Sequence, residues 1–208
     1  MNCTVYFWDI TQAYNNVGHA HIVNQIGSKP APTPLKNITC NLAVNDFTRI
    51  STIKGKTKKI KFERGVMQGD PMSPFLFNVS IDPMVQEISE KEVTDKFGFC
   101  LHPLHPNVSN AEFADDTGFV GNSRHSAIEL YQQSIEALHL IGLRMNPLKS
   151  VAISIVKGEL CQDALRISSD TSIPCFGPND VIKYLGVTFN NSIILDEKEC
   201  AKKFSTKI

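Results

Sequence analysis

The sequence predicts an α+β fold. Three observations carry this. Apolar, β-branched and aromatic runs of strand length occur throughout the chain, for example Cys3-Thr-Val-Tyr-Phe-Trp8. Segments with apolar residues at helical spacing lie between them, such as Ala127, Leu130, Tyr131, Ile135 and Leu138. The two kinds alternate without a regular βαβ rhythm, which argues against a doubly wound parallel sheet.

Residues 3–8 predict a buried strand with Asp9 at its end, and residues 11–26 a helix. Ser28-Lys-Pro-Ala-Pro-Thr-Pro34 is a proline-rich connector, and residues 35–47 read as a further helix. Residues 49–63 predict two strands turning near Lys54-Gly55-Lys56. A loop from Gly65 to Pro74 precedes a helix with Met72, Phe75, Leu76 and Val79 on one face, which Pro83 is expected to kink or restart. Residues 97–108 read as irregular. Ala111 to Gly121 predicts strand, tight turn and strand. Ser126 and Glu129 have the spacing of a capping box for the next helix. Val151 to Val156 and Ile182 to Phe189 are further strand candidates.

The 208 residues suffice for one good-sized core, and 42% hydrophobic with 20% charged residues is an ordinary globular composition. No stretch is long and apolar enough to predict a membrane span, so no membrane partner is expected. The six cysteines are scattered without a CxxC pair, which argues against zinc or a disulfide framework and for a reducing, intracellular setting. Net charge is zero, but unevenly spread. Residues 1–64 hold nine Lys/Arg against three Asp/Glu. That half includes the run Lys54-Gly-Lys-Thr-Lys-Lys-Ile-Lys61, which either lies along a phosphate backbone or forms a solvated hairpin.

The sharpest feature is Phe113-Ala114-Asp115-Asp116. Adjacent carboxylates inside an apolar segment are costly to keep ionised, and a divalent cation removes that cost. A solvated Asp-Asp turn is the bland alternative. Asp9 also ends an apolar strand, and two strand-end acidic sites on one sheet can meet. Oxygen ligands of this kind suit Mg²⁺ or Mn²⁺, and a pair of such ions is how phosphoryl-transfer enzymes clamp attacking and leaving oxygens.

The order of motifs resembles the palm of reverse transcriptases. Asp9-Ile-Thr-Gln-Ala-Tyr-Asn-Asn-Val-Gly-His19 resembles motif A. Arg64-Gly-Val-Met-Gln-Gly-Asp-Pro-Met-Ser-Pro-Phe-Leu-Phe-Asn78 resembles motif B. Phe113-Ala-Asp-Asp116 resembles motif C. Gly142-Leu-Arg-Met-Asn-Pro-Leu-Lys-Ser150 resembles motif D. Lys183-Tyr-Leu-Gly186 resembles motif E, the primer grip. The wording of motif B and the Asn-Pro-Leu-Lys stretch lean towards the non-LTR, LINE-type retrotransposons rather than retroviruses or group II introns.

The resemblance implies a palm-type antiparallel sheet packed by helices over residues 1–190, with 191–208 starting a thumb or connector. It implies RNA-directed DNA polymerase activity with two Mg²⁺ or Mn²⁺ ions. Its partners would be an RNA template, a DNA primer, deoxynucleoside triphosphates and the remainder of a retrotransposon polyprotein, working in nucleus and cytoplasm. Asp9, Asp115 and Asp116 would hold the metals. Lys149 would protonate the leaving pyrophosphate, or else is a surface lysine. Tyr14 would be the aromatic gate under the incoming sugar, or else a core aromatic. Gln68 and Gly69 would touch the nucleotide and templating pair, or else form a turn before a helix. Tyr184, Leu185 and Gly186 would hold the primer end. Arg64 would touch phosphate or form an exposed ion pair. His19 and His21 have no zinc-like partners and read as structural or exposed.

Asn15 stands where many non-LTR enzymes have aspartate. Fingers and thumb are expected to be truncated, and the chain alone to polymerise weakly or not at all. An RNA-directed RNA polymerase fits less well, since those carry Gly-Asp-Asp in motif C and need no aromatic at Tyr14. A reading from another class is a non-catalytic nucleic-acid-binding remnant.

Overall fold

The computed structural model describes residues 2–45, 47–113, 116–177, 180–184 and 187–189. In chain order the elements are β1 (Cys3–Trp8), α1 (Ala13–Asn16), α2 (His19–Ser28), α3 (Thr33–Val44), β2 (Phe47–Thr48), β3 (Ser51–Thr52), β4 (Gly55–Lys56) and β5 (Ile60–Lys61). Then come α4 (Ser73–Ser89), α5 (Lys91–Phe97), β6 (Asn110–Phe113), β7 (Asp116–Gly121), α6 (Arg124–Leu140), β8 (Val151–Val156) and β9 (Glu159–Cys161). The last are β10 (Leu165–Arg166), β11 (Ser172–Ile173), β12 (Ile182–Tyr184) and β13 (Val187–Phe189). Helices and antiparallel strands mix as the α+β expectation requires.

Two compact units divide these elements. The first comprises Met1–Asp9, Ile88–Gln133 and Asn146–Ile208, the second Ile10–Glu87 and Ser134–Met145. The first holds a five-stranded sheet in the order β6-β7-β1-β8-β9, antiparallel throughout. β1 is its central strand. The even-numbered residues Thr4, Tyr6 and Trp8 are buried and the odd-numbered ones half-exposed, the period of two that a pleated strand dictates. On the buried face Tyr6 stacks on Phe119 at 5.0 Å and meets Tyr131 of α6 edge-on at 5.6 Å. Trp8 meets Phe119 edge-on at 4.6 Å. Such ring pairs add about 0.5–1.5 kcal/mol each beyond their area burial. Thr4 and Ser154 close the same face with a buried hydroxyl–hydroxyl bond of 3.0 Å.

α6 begins at Arg124, two residues before the predicted capping box. Ser123, not Ser126, accepts the backbone N–H of Ser126, at 3.1 Å. A Ser hydroxyl three residues ahead of that amide is the geometry of an N-cap.

In the second unit the helix expected over 11–26 is two helices. The break falls at Val17-Gly18 because the Val17 carbonyl bonds outside the helix, while Gly18 O accepts Ile22 N–H and starts α2. Val17 O accepts Gly65 N–H at 2.7 Å, and Gly18 bridges Arg64. α3 starts at Thr33, with Pro34 in the first turn, where a missing N–H costs nothing. α4 runs unbroken through Pro83, against the expected kink or restart. Proline forfeits one helical bond there, but Leu76, Phe77, Val79 and Met84 bury the helix on either side of it. Packing outweighs the local preference. His21 Nε2 donates to Ser80 O at 2.8 Å, and Lys29 pairs with Asp82, so α2 is tied to α4.

Candidate active site

The acidic residues are positioned by strand register. Trp8 of β1 faces Thr117 of β7, so one step further along the ladder sets Asp9 across from Asp116. On the other side of β1 the ladder with β8 ends at Phe7 and Val151, and Lys149 comes to Asp9 from the turn that precedes β8 rather than by strand pairing. Residues opposite one another in antiparallel register share a face. Asp116 and Asp9 therefore share the half-exposed face of the sheet, away from α6, and the Lys149 ammonium lies beside Asp9. Lys149 Nζ lies 3.7 Å from Asp9 Oδ2, with the two side chains 68% and 40% exposed. At that exposure the pair contributes no more than about 1 kcal/mol. Its significance is positional.

The motif D segment holds Lys149 there through a turn built on Asp9's own backbone. Asn146 N–H donates to Asp9 O at 2.8 Å, and Asn146 O accepts the N–H groups of Lys149 and Ser150 and the Ser150 hydroxyl. Beside these residues, Gly118 leaves room for the Phe7 ring, whose carbons would lie 3.3 Å from a Cβ at that position.

Asp115 lies outside the described residues, as do Leu185 and Gly186 of motif E. Tyr184 ends β12, and its backbone faces Val187 in a short antiparallel pair. Among the described residues no group of three or more His, Cys, Asp and Glu gathers as a metal site. The donors that do line up are carboxylate oxygens, the chemistry a hard divalent ion prefers, and the Lys149 ammonium beside Asp9 marks where positive charge is favoured.

In the second unit Tyr14 and the motif B loop are clasped together. Val66 N–H donates to Tyr14 O at 2.7 Å, Gly65 N–H to Val17 O at 2.7 Å, and His19 Nε2 to Gly65 O at 2.8 Å. His19 and His21 are thus structural ties. The Tyr14 ring is half-buried and lies flat on Phe77 of α4, centroids 4.9 Å apart and 10° from parallel. It is anchored on the core and partly accessible. Gln68 is exposed and lines a cleft with Asn15, Phe62, Arg64 and Met67. Gly69 has φ +91°, with no atom within 4 Å of where a Cβ would stand. The Asp70 carboxylate then accepts Met72 N–H at 2.7 Å and starts α4.

Sequence reasoning missed Gln12, which has left-handed backbone (φ 48°, ψ 48°) between Asp9 and Tyr14. Only the structure reveals it, because glutamine has no special preference for that region. It also missed Phe77 as the support of Tyr14, although Phe77 stands at helical spacing within the motif B segment.

Residues 1–189 match the family described as reverse transcriptase (RNA-dependent DNA polymerase), and the chain belongs to that family. Within it, the chain is related to the Pol polyproteins of R2 non-LTR retrotransposons. It is 28% identical over 191 residues to the Pol polyprotein of the R2 element of Nasonia vitripennis, covering 88% of this chain and 18% of that protein. With the R2DM element polyprotein of Drosophila melanogaster it is 26% identical over 194 residues, covering 90% and 18%. The chain therefore spans about a fifth of the length of these relatives. Among solved structures, telomerase of Candida tropicalis in complex with a TWJ fragment of telomeric RNA superposes with a TM-score of 0.65 at 12% identity, over 94% of this chain and 29% of that one. Telomerase of Candida albicans, in complex with the same kind of fragment, gives 0.63 at 12% identity, over 94% and 30%. At such identity the likeness establishes the fold alone. The family implies use of a divalent metal and binding of a nucleic-acid template and primer. No helix among the described residues is long and apolar enough to cross a membrane.

Proposed function

We propose that this chain is the palm of a non-LTR retrotransposon reverse transcriptase, spanning residues 1–190. Its reaction would be nucleotidyl transfer from a deoxynucleoside triphosphate to a primer 3′-hydroxyl on an RNA template. The observation that carries the reading is the placing of Asp9 across from Asp116 at the ends of neighbouring strands, with the Lys149 ammonium 3.7 Å from Asp9. The carboxylates of Asp9 and Asp116, with a third at Asp115 next to Asp116 in sequence, form an all-oxygen set that would hold two Mg²⁺ or Mn²⁺ ions. Such ions, when bound, lower the pKa of the attacking hydroxyl and neutralise the departing pyrophosphate.

The remaining work falls to the chain's own side chains. Lys149 is kept beside Asp9 by the Asn146 turn, and its ammonium is the group to give a proton to the leaving pyrophosphate. Tyr14, fixed flat on Phe77, presents a rigid ring that excludes a ribose 2′-hydroxyl. Gln68 and the open backbone at Gly69 would contact the incoming nucleotide and its templating base. Tyr184, Leu185 and Gly186 would steady the primer end.

The test is single-nucleotide primer extension on an RNA template with Mg²⁺ and protein in excess. Parent chain is compared with Asp9→Asn and with Asp115→Ala/Asp116→Ala. Incorporation by the parent and its loss in both variants supports the reading. Equal incorporation by all three overturns the carboxylate assignment. If the parent binds template–primer without extending it, fused fingers and thumb segments are expected to restore extension, and no restoration marks the remnant.

A further inference from the structure

The basic run at residues 54–61 has no part in that chemistry, yet the way it folds arranges its charge. Its strands form a ribbon in two pieces. Phe47 faces Lys61 and Thr48 faces Ile60 at the base. Ser51 faces Lys56 and Thr52 faces Gly55 at the tip. The two registers differ by one residue, so one extra residue is accommodated on the returning strand, where Lys58 and Lys59 together oppose Arg49. That is a β-bulge. In sequence, Lys56 and Lys58 alternate out of phase with Lys59 and Lys61, and a regular strand would split them between two faces. The bulge resets the phase. Register then puts Phe47, Arg49, Ser51, Lys56, Lys58, Lys59 and Lys61 on one face, with Thr48, Ile50, Thr52, Thr57 and Ile60 on the other.

Two contacts agree with this assignment. Lys59 Nζ lies 5.3 Å from the centroid of the Phe47 ring, on the cationic face. Ile50 N–H donates to Thr57 Oγ1 at 3.0 Å, and Thr57 N–H to Ile50 O at 3.0 Å, pairing the two residues across the ribbon. All five cations are exposed, and among the described residues none of them forms an ion pair.

We propose that this face is a docking track for the phosphate backbone of a nucleic-acid duplex. Five cations on one face, none of them ion-paired among the described residues, supply the charge complementarity. A duplex fits better than a single strand, because single strands are held largely by bases stacking on aromatic rings. The one aromatic on this face, Phe47, already carries Lys59.

The experiment measures binding of the full 208-residue chain to a short blunt RNA duplex and a DNA duplex of equal length, from about 50 to 200 mM salt. Lys56→Gln/Lys58→Gln/Lys59→Gln/Lys61→Gln is expected to bind both duplexes at least about tenfold more weakly at the low-salt end. Its log K against log[salt] slope should be shallower by about 3.6, or about 0.9 for each phosphate that is no longer neutralised. Lys91→Gln/Lys96→Gln/Lys157→Gln/Arg166→Gln removes the same charge from exposed positions elsewhere, and its slope should stay that of the parent. Ser51→Lys, on the cationic face, should steepen the parent slope by about 0.9, whereas Ile50→Lys, on the opposite face, should not. An unchanged slope in the ribbon variant overturns the proposal. So does an equal weakening in the control, an effect confined to an unstructured oligonucleotide, or one confined to phosphatidylserine vesicles. Equal steepening by Ser51→Lys and Ile50→Lys overturns the face assignment.

Discussion

Gly65→Ala is the most informative single substitution in the motif B loop. Gly65 has φ +81°, a region that costs an L-residue about 1–2 kcal/mol. A Cβ there would stand 2.6 Å from the carbonyl oxygen of Asn15, 2.7 Å from its carbonyl carbon and 2.8 Å from its Cα. These are backbone atoms at the end of α1, so relief requires the clasp between α1 and the loop to open. Overpacking of this kind costs about 1–3 kcal/mol. The reduced freedom of the unfolded chain offsets about 0.4–1 kcal/mol of this. The net loss is about 2–4 kcal/mol. For a chain of this size each kcal/mol lowers Tm by about 2–4 °C, so a fall of roughly 5–15 °C is expected. Gly69 provides the internal comparison. Its φ is +91°, but no atom lies within 4 Å of its Cβ position. Gly69→Ala carries the backbone cost alone, about 1 kcal/mol, and should lower Tm by only about 2–4 °C. Calorimetry on both variants is the assay. A Gly65→Ala shift no larger than that of Gly69→Ala would refute the claim that Gly65 is required by close packing on Asn15. Activity should reverse the contrast in character. Gly65→Ala should lose extension and stability together, and Gly69→Ala should lose extension while remaining folded.

Two further predictions concern single side chains. Tyr14→Val should weaken rejection of ribonucleotides by up to about a hundredfold, read as the ratio of deoxynucleotide to ribonucleotide incorporation; an unchanged ratio means that the ring on Phe77 is a core aromatic only. Ser123→Ala removes the acceptor of the Ser126 amide at the start of α6 and should destabilise by about 1 kcal/mol, a Tm fall of about 2–4 °C by calorimetry, while an unshifted Tm would show that the cap is dispensable.

Much of the site was legible in the sequence because its residues carry strong local signals. A carboxylate closing a strand as apolar as Cys3–Trp8 is conspicuous, and so is an Asp-Asp step between apolar residues. The mixed α+β character was legible for the same reason. What could not be read was register. Nothing local in Asp9 says that it will stand across from Asp116, or beside Lys149 in the turn that leads into β8. Those placements are set by how β1 seats between β7 and β8, strands distant in sequence. The ribbon teaches the same lesson at short range, since its lysines alternate in sequence as though they belonged to two faces. Helix boundaries failed where tertiary bonds override local preference. Val17 gives its carbonyl to Gly65 of the motif B loop, and α4 carries Pro83 because apolar burial on both sides holds the helix together. The cap of α6 was misplaced because Ser123 and Ser126 both have capping chemistry, and only geometry separates them.

The central place of β1 has a consequence for how the protein is made. β1 pairs on both edges with strands that follow it by more than about a hundred residues, a topology that folds slowly because the chain must close large loops before any pairing compensates. At a synthesis rate of about 5–20 residues per second, β1 waits several seconds for β7 and longer for β8. Throughout that interval it is a bare strand, rich in aromatic and β-branched residues and exposed to association with other nascent chains. Yet the same delay keeps Asp9 from meeting Asp116 in the half-made chain. Their juxtaposition waits on the pairing of strands about a hundred residues apart, so it is tied to an intact sheet.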